Sequence, residues 1–417
     1  MRDAPGNRVL MLVENQPYPT DVRVRREALA LTEAGYRVTV ICHARQGQPY
    51  AEVLDDVRVL RYPGFFPGSG ALGFAWEFGY ATLATLALAL WVALRYGVDV
   101  VHAHNPPDTM FVIGALFKLG GKRFVFDHHD LAPDMYRALF GERASDRIFR
   151  LLSLLEHASC RVADQVIATN QSYRAVEIER DHVPPERISV VRNGPDVKRL
   201  RPVAPDADMR ARAGTILGYV GVMGRQDGVD YLLRALRILI DDLGRRDIYC
   251  VLIGPGDALA DLKALTAELR LEQHVCFTGP INDHARLASL LSSADICVDP
   301  DPQNSYNDRS TMLKLMDYMA VARPIVAFDL TEHRRTAEGA AVFVPGNDER
   351  AFAQAIAALI DDPERRERLG CAGRRRVETE LAWEHSVANL LQVYQRLLPA
   401  ARVVPVVRPA GELANDA

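Results

Sequence analysis

The chain has 417 residues, of which 48% are hydrophobic and 25% charged; this is a globular balance, too long for one ordinary domain and suited to two of about 200 residues each. A net charge of −4 excludes a general nucleic-acid binder, whose affinity rests on a surplus of Lys and Arg. The six cysteines (Cys42, Cys160, Cys250, Cys276, Cys297 and Cys371) show no Cys-x-x-Cys spacing and read as reduced core residues of a cytosolic protein.

Met1 to Asn7 run directly into an apolar strand, Val9 to Val13, so no signal peptide is expected. A loop follows, then a helix through Ala34 that Gly35 can close, then a strand from Arg37 to Cys42. Strand, helix, strand predicts a parallel sheet. The first loop has no glycine, which argues against a dinucleotide fingerprint. Arg23 and Arg26 share one helix face, where they can meet an anionic acceptor or form a solvated face paired with Glu27. Phe78 to Leu94 is an uncharged run of 17 residues. It can be a membrane span, a helix lying on a membrane or a core helix, and the two latter readings fit its length better.

Further strands are predicted over Val57–Arg61, Asp99–His104, Arg123–Asp127 and Gln165–Thr169. His102 and His104 alternate on a strand end, but no third ligand is evident at metal-binding spacing. The loop Asp127-His128-His129-Asp130 leaves the carboxyl end of a strand, where open α/β sheets bind ligands. His129 can also simply cap the next helix. Ile188–Arg192 is a strand, and Leu200-Arg201-Pro202-Val203-Ala204-Pro205 reads as a linker because proline suppresses both helix and ladder.

The pattern then restarts. Thr215–Gly221 is a strand, Val222–Asp227 a loop and Val229–Ile240 a helix; Ile248–Ile253 leads into Gly254-Pro255-Gly256, and Val275–Gly279 into Pro280-Ile281. Ser310 and Thr311 are good N-cap residues for a helix whose apolar face is Leu313, Leu315, Met316, Met319 and Ala320. Backbone N–H groups near Ser310 to Leu313 then form an anion site. Asp317 lies further along that helix, where a carboxylate can accept two hydrogen bonds from a vicinal diol, so a phosphate followed by a ribose is the expected ligand. Strand Ala341–Pro345 and helices Glu349–Ile360, Pro363–Glu378 and Leu381–Leu398 complete the folded chain. Residues 401–417 are expected to be disordered.

The stretch Asn307-Asp308-Arg309-Ser310-Thr311-Met312 through Asp317, Met319-Ala320 and Arg323-Pro324-Ile325-Val326 resembles the signature of the family 4 retaining glycosyltransferases, in a variant form associated with bacterial surface-polysaccharide assembly. Asp21-x-Arg23-x-x-Arg26-Glu27, the His129-Asp130 loop and Asn193-Gly194-Pro195-Asp196 are similar to the family as well. The resemblance implies a GT-B fold: two Rossmann-like parallel-sheet domains facing across a cleft. Residues 1–202 are the acceptor-side domain, 203–382 bind the nucleotide-sugar, and 383–400 cross back to the first domain. It implies catalytic positions at His129, Asp130, Asp308 and Arg309. It implies donor binding by Arg225, Gly254, Gly279, Ile281, Ser310, Thr311, Met312, Leu313, Lys314 and Asp317, with Arg23 and Arg26 on the acceptor side. Arg309 stands where the family usually has a glutamate, with Asp308 as a substitute, and Asp227 replaces a lysine. Arg225 and Lys314 are then the cations left for the diphosphate.

The implied activity is transfer of a sugar from a nucleotide donor, UDP-sugar favoured over GDP-sugar, to a glycan or lipid-linked hydroxyl. No metal or other cofactor is expected, since a helix end and basic residues supply the charge that Asp299-x-Asp301 would recruit through an ion. The implied site of action is the cytoplasm, with peripheral contact to the membrane through 78–94. A non-catalytic nucleotide-sugar-binding subunit and a UDP-sugar epimerase of the same fold stay open as alternatives.

Overall fold

The computed structural model describes residues 7–64 and 70–398. The tail expected to be disordered from 401 lies outside them. The chain forms two compact units. Unit 1 takes in the chain to Pro133, Ser145–Val191 and the chain from Val387; unit 2 takes in Asp134–Ala144 and Arg192–Ser386.

Unit 1 is built on strands β1 (Arg8–Leu12), β2 (Arg37–His43), β3 (Ala51–Leu54), β4 (Val57–Tyr62), β5 (Val100–His104), β6 (Arg123–His128), β7 (Gln165–Ala168) and β8 (Ile188–Val190). They order as β3-β4-β2-β1-β5-β6-β7-β8, all parallel except the β3·β4 hairpin. That hairpin was not foreseen. Asp55 and Asp56 take positive φ of 51° and 63°, as a two-residue hairpin turn of the right twist requires. The central strands are buried on both faces, which is why they read as unbroken apolar runs rather than alternating ones.

Helices of unit 1 include α1 (Val22–Glu33), α2 (Gly70–Arg95) and α3 (Phe111–Leu119); α4 (Ala132–Phe140) spans the boundary between units, and α5 (Asp146–Val162) returns to unit 1. Asp21 caps α1 through the Val24 N–H, and Gly35, at φ 90°, follows its end. In the last helix (Trp383–Leu397), Tyr394 is buried, its hydroxyl 2.8 Å from His102 Nδ1.

Unit 2 holds a six-stranded parallel sheet: β9 (Thr215–Val220), β10 (Ile248–Ile253), β11 (Val275–Gly279), β12 (Ile296–Asp299), β13 (Ile325–Phe328) and β14 (Ala341–Val344), ordered β11-β10-β9-β12-β13-β14. One face buries Leu217, Leu252 and Val298, the other Ile216, Val251 and Cys297, as the period of two in a strand requires. The proline-rich Leu200–Pro205 segment lies on unit 2: Leu200 joins its core, and the Val203 N–H donates to Ser292 Oγ. The cysteines are free, but only Cys42, Cys160, Cys250 and Cys297 are buried; Cys276 is half-buried and Cys371 exposed on a helix, which corrects the reading of all six as core.

Candidate active site

In unit 2 the chain reverses its direction of travel across the sheet at β9, which pairs with β10 on one side and β12 on the other. Ligands of open α/β sheets bind outside the carboxyl ends of strands at such a point. Three loops meet there. Gly221 and Gly254 have φ of 154° and 138°, and a Cβ on Gly254 would lie 1.9 Å from the Gly221 carbonyl oxygen. Only glycine lets these two turns touch. The Gly254 N–H donates to the Gly279 carbonyl, at 3.0 Å, which draws the end of β11 into the same group beside half-buried Ile281.

The helix predicted to start at Ser310 or Thr311 begins at Leu313 and runs to Ala320. Met312 is its N-cap and makes no side-chain cap bond. The difference has a local cause: Asn304 Oδ1 accepts the Tyr306 and Asn307 N–H groups and winds a preceding turn, which Ser310 closes by donating from Oγ to the Tyr306 carbonyl. The anion-attracting helix end is therefore at Met312–Lys314, and half-buried Asp317 is the fifth helical residue.

The cations expected for a diphosphate are differently placed. Arg225 is largely exposed, with Asp261 at 3.5 Å. Lys314 is buried: its ammonium is 3.2 Å from Asp299 and 2.7 Å from Asp301, and 5.1 Å from the Tyr219 ring. Burial disfavours its charge, but the two carboxylates hold its pKa well above the usual lysine value. It underlies the glycine turns as a fixed charge, since a Cβ on Gly221 would lie 3.4 Å from its Cε. Asp227 accepts the Gly224 N–H and shapes the loop where the family usually has lysine.

Asp308 is also committed. Its carboxylate accepts from the Thr331 N–H and hydroxyl, both at 2.9 Å, and so anchors the next helix start. Arg309 donates to Asp134 at 2.8 Å, within unit 2. A carboxylate substitute at 308 is thus engaged by the Thr331 N–H and hydroxyl.

In unit 1 the carboxyl ends of β5 and β6 carry a buried polar network. Arg23, on α1, donates to both oxygens of Asp127 at 2.6 and 2.7 Å, and to the Val191 carbonyl at 3.0 Å, with Glu27 at 3.1 Å. Arg23 is only 5% exposed, so its pairing with Glu27 is buried and not part of a solvated face; Arg26 is half-buried. His104 Nδ1 lies 2.9 Å from Asp127, and His129 Nδ1 3.8 Å from it. Burial pushes the Asp127 carboxyl up, but Arg23 and the His104 bond hold it well below the usual range. Burial lowers and Asp127 raises the His129 imidazole, with a net rise. Strand alternation sends His128 the other way, buried between Glu156 and Glu177 at 3.3 and 3.2 Å.

Asn105, which sequence reasoning did not single out, holds the candidate loop in place. Its Oδ1 accepts the His129 and Asp130 N–H groups at 2.8 and 3.1 Å, and its Nδ2 donates to the Asp130 carbonyl at 2.6 Å, fixing the His129-Asp130 loop. The polar run after β5 was the only signal.

Among the described residues, two buried groups have the composition of metal ligands, with ligand atoms within 4.8 Å of one another: Glu27, His102, His104 and Asp127, and Asp299, Asp301 and His333. The third ligand not evident beside His102 and His104 is thus supplied by the fold, twice. In each group a side-chain cation already stands among the carboxylates, Arg23 in the first and Lys314 in the second.

Two parallel-sheet α/β units, with glycine turns and a helix end gathered at the reversal point of the second, define a protein of the GT-B class. The fold of the sucrose-phosphate synthase from Thermosynechococcus elongatus covers 95% of this chain and 100% of its own, with TM-score 0.77 at 21% identity. That of Anabaena HepE in complex with UDP-glucose covers 94% and 98%, with TM-score 0.65 at 16% identity. Residues 21–199 match the model for Glycosyltransferase Family 4, and 214–362 that for Glycosyl transferases group 1. A D-inositol 3-phosphate glycosyltransferase of Thermobispora bispora is 32% identical over 339 residues, 76% of this chain and 75% of the relative. The chain belongs to this glycosyltransferase family and is an enzyme that transfers a sugar from a nucleotide-sugar.

Proposed function

We propose that the enzyme transfers a sugar from a UDP-sugar to a hydroxyl of a lipid-linked glycan, with retention at the anomeric carbon, without a metal, at the cytoplasmic face of a bacterial membrane during polysaccharide assembly. The observation that carries the donor half is the convergence of the Gly221 and Gly254 turns with the helix end at Met312–Lys314 and Asp317 behind it. Bond cleavage leaves negative charge on the β-phosphate. Helix-end N–H groups aimed at that charge lower the barrier, each such donor being worth about 3 kcal/mol. Asp317 accepts the ribose hydroxyls. His129 faces the sugar, and the departing phosphate takes the acceptor proton on the same face, so no protein nucleophile is needed. Six free cysteines suit a reducing compartment. A second reading, a soluble polyol phosphate as acceptor, is favoured by the inositol-phosphate relative.

Calorimetric titration with UDP and with GDP in chelator-treated buffer tests the donor site. UDP should bind without metal, and Asp317→Ala should weaken it by about 1.5–3 kcal/mol, the value of a hydrogen bond to a charged group. Unchanged affinity in the variant would remove Asp317 from the ribose. Transfer assays with extracted lipid-linked glycans against inositol phosphate then decide the acceptor.

A further inference from the structure

Helix α2 has its side chains distributed the wrong way round for a helix in water. The face against the protein is small: Ala81, Thr85, Ala89 and Val92 are all 2% exposed or less, on the side that meets β2 and β4. The outward face is large and apolar, with Trp76, Leu83, Leu90 and Leu94 at 65, 68, 44 and 82% exposure. Their spacing of seven, seven and four residues makes one continuous stripe. Trp76–Arg95 is long and apolar enough to cross a membrane, at mean hydropathy 1.5, yet only 22% of that window is buried.

The stripe does not stop at α2. The Thr82 and Thr109 hydroxyls lie 2.7 Å apart, which brings the turn before α3 alongside, and α3 exposes Val112, Leu116 and Leu119, again at helical spacing. Lys118 of α3 donates to the Val162 carbonyl at 2.7 Å, linking α3 to α5, which exposes Leu151 and Leu154. Several neighbouring helices with outward leucines form an exposed apolar patch of the kind soluble monomers avoid.

We propose that this face of unit 1 docks on the interface of an anionic phospholipid bilayer. The inference rests on the lipid-linked acceptor reading and names the surface that would bring the enzyme to it. The inner face of α2 is held by the sheet, and the Tyr80 hydroxyl donates to the Pro63 carbonyl at 3.0 Å, so the helix lies along a membrane instead of crossing it. Charge selects the bilayer over a second copy. Arg95 ends α2, and Arg147, Arg150 and Arg161 are exposed on α5. Glu156 of α5 is buried, which leaves Glu77 and Asp146 against them on these helices, in a chain whose net charge is −4. Trp76 and exposed Trp91, near the two ends of the stripe, are side chains suited to the headgroup layer.

Vesicle co-sedimentation of the full chain tests this, with phosphatidylcholine alone and with phosphatidylglycerol added. The wild type should bind, several-fold more with the anionic lipid. The Leu83→Glu/Leu94→Glu variant should lose at least about tenfold of that binding, with melting temperature and UDP affinity unchanged. Arg147→Gln/Arg150→Gln should lose the anionic preference alone, as should added salt. Equal binding by wild type and Leu83→Glu/Leu94→Glu would overturn the proposal. So would a wild type that ignores vesicles and forms a dimer which the glutamates split. Vesicle binding does not need turnover, so an enzyme that binds vesicles yet transfers sugar to inositol phosphate and to no lipid-linked glycan would defeat the acceptor reading and leave the surface intact.

Discussion

Asp127 serves Arg23, His104 and His129 at once, and the consequence falls on His129. Its pKa is raised above 6.5, so the imidazolium persists to higher pH than in a free histidine. A charged imidazole donates a stronger hydrogen bond to a sugar hydroxyl than a neutral ring does. Turnover should therefore fall as pH rises through the His129 value. Asp127→Asn removes the charge that raises it, so the alkaline limb of the kcat profile should move to lower pH. A limb that stays in place would separate His129 from catalysis. The sign for stability is the same: His129 contributes fully below its unfolded pKa, and the contribution is lost as pH rises through the folded one.

At the scale of elements, the donor site depends on backbone contact between two turns. In Gly254→Ala the new Cβ meets the Gly221 carbonyl oxygen at 1.9 Å, at a φ of 138° that side chains rarely adopt. The strain is of order 1–3 kcal/mol. Urea unfolding should show that loss, and UDP affinity should fall with it. Unaltered affinity would mean the turns do not shape the diphosphate seat. The helix at Leu313 shows where reading by propensity stops. Ser310 and Thr311 have the chemistry of caps, but Asn304 organises the preceding turn first, and a cap is decided by which competing hydrogen bonds form.

For the whole molecule, two units with separate cores predict unfolding that is not two-state. Calorimetry should resolve two transitions, and UDP at a hundredfold excess over its Kd should stabilise only one of them, by about 2.7 kcal/mol. A ligand that moved both equally would show that the donor site is not confined to unit 2. Much of this architecture was legible in the chain itself. Parallel strands buried on both faces must be apolar runs, and the helices between them must be amphipathic, so element order and the two-unit α/β class follow from local pattern. The Asp317 and His129 stretches could be put forward as candidate site segments for a related reason, since motif chemistry is carried by neighbours in sequence. What only the tertiary structure decided are encounters between distant residues: Arg23 with Asp127, Lys314 with Asp299 and Asp301, Asn105 with the His129-Asp130 loop. Burial and pairing are properties of a residue's surroundings in space, and a side chain that looks like a free surface cation in sequence becomes a buried, paired charge once the fold places carboxylates around it.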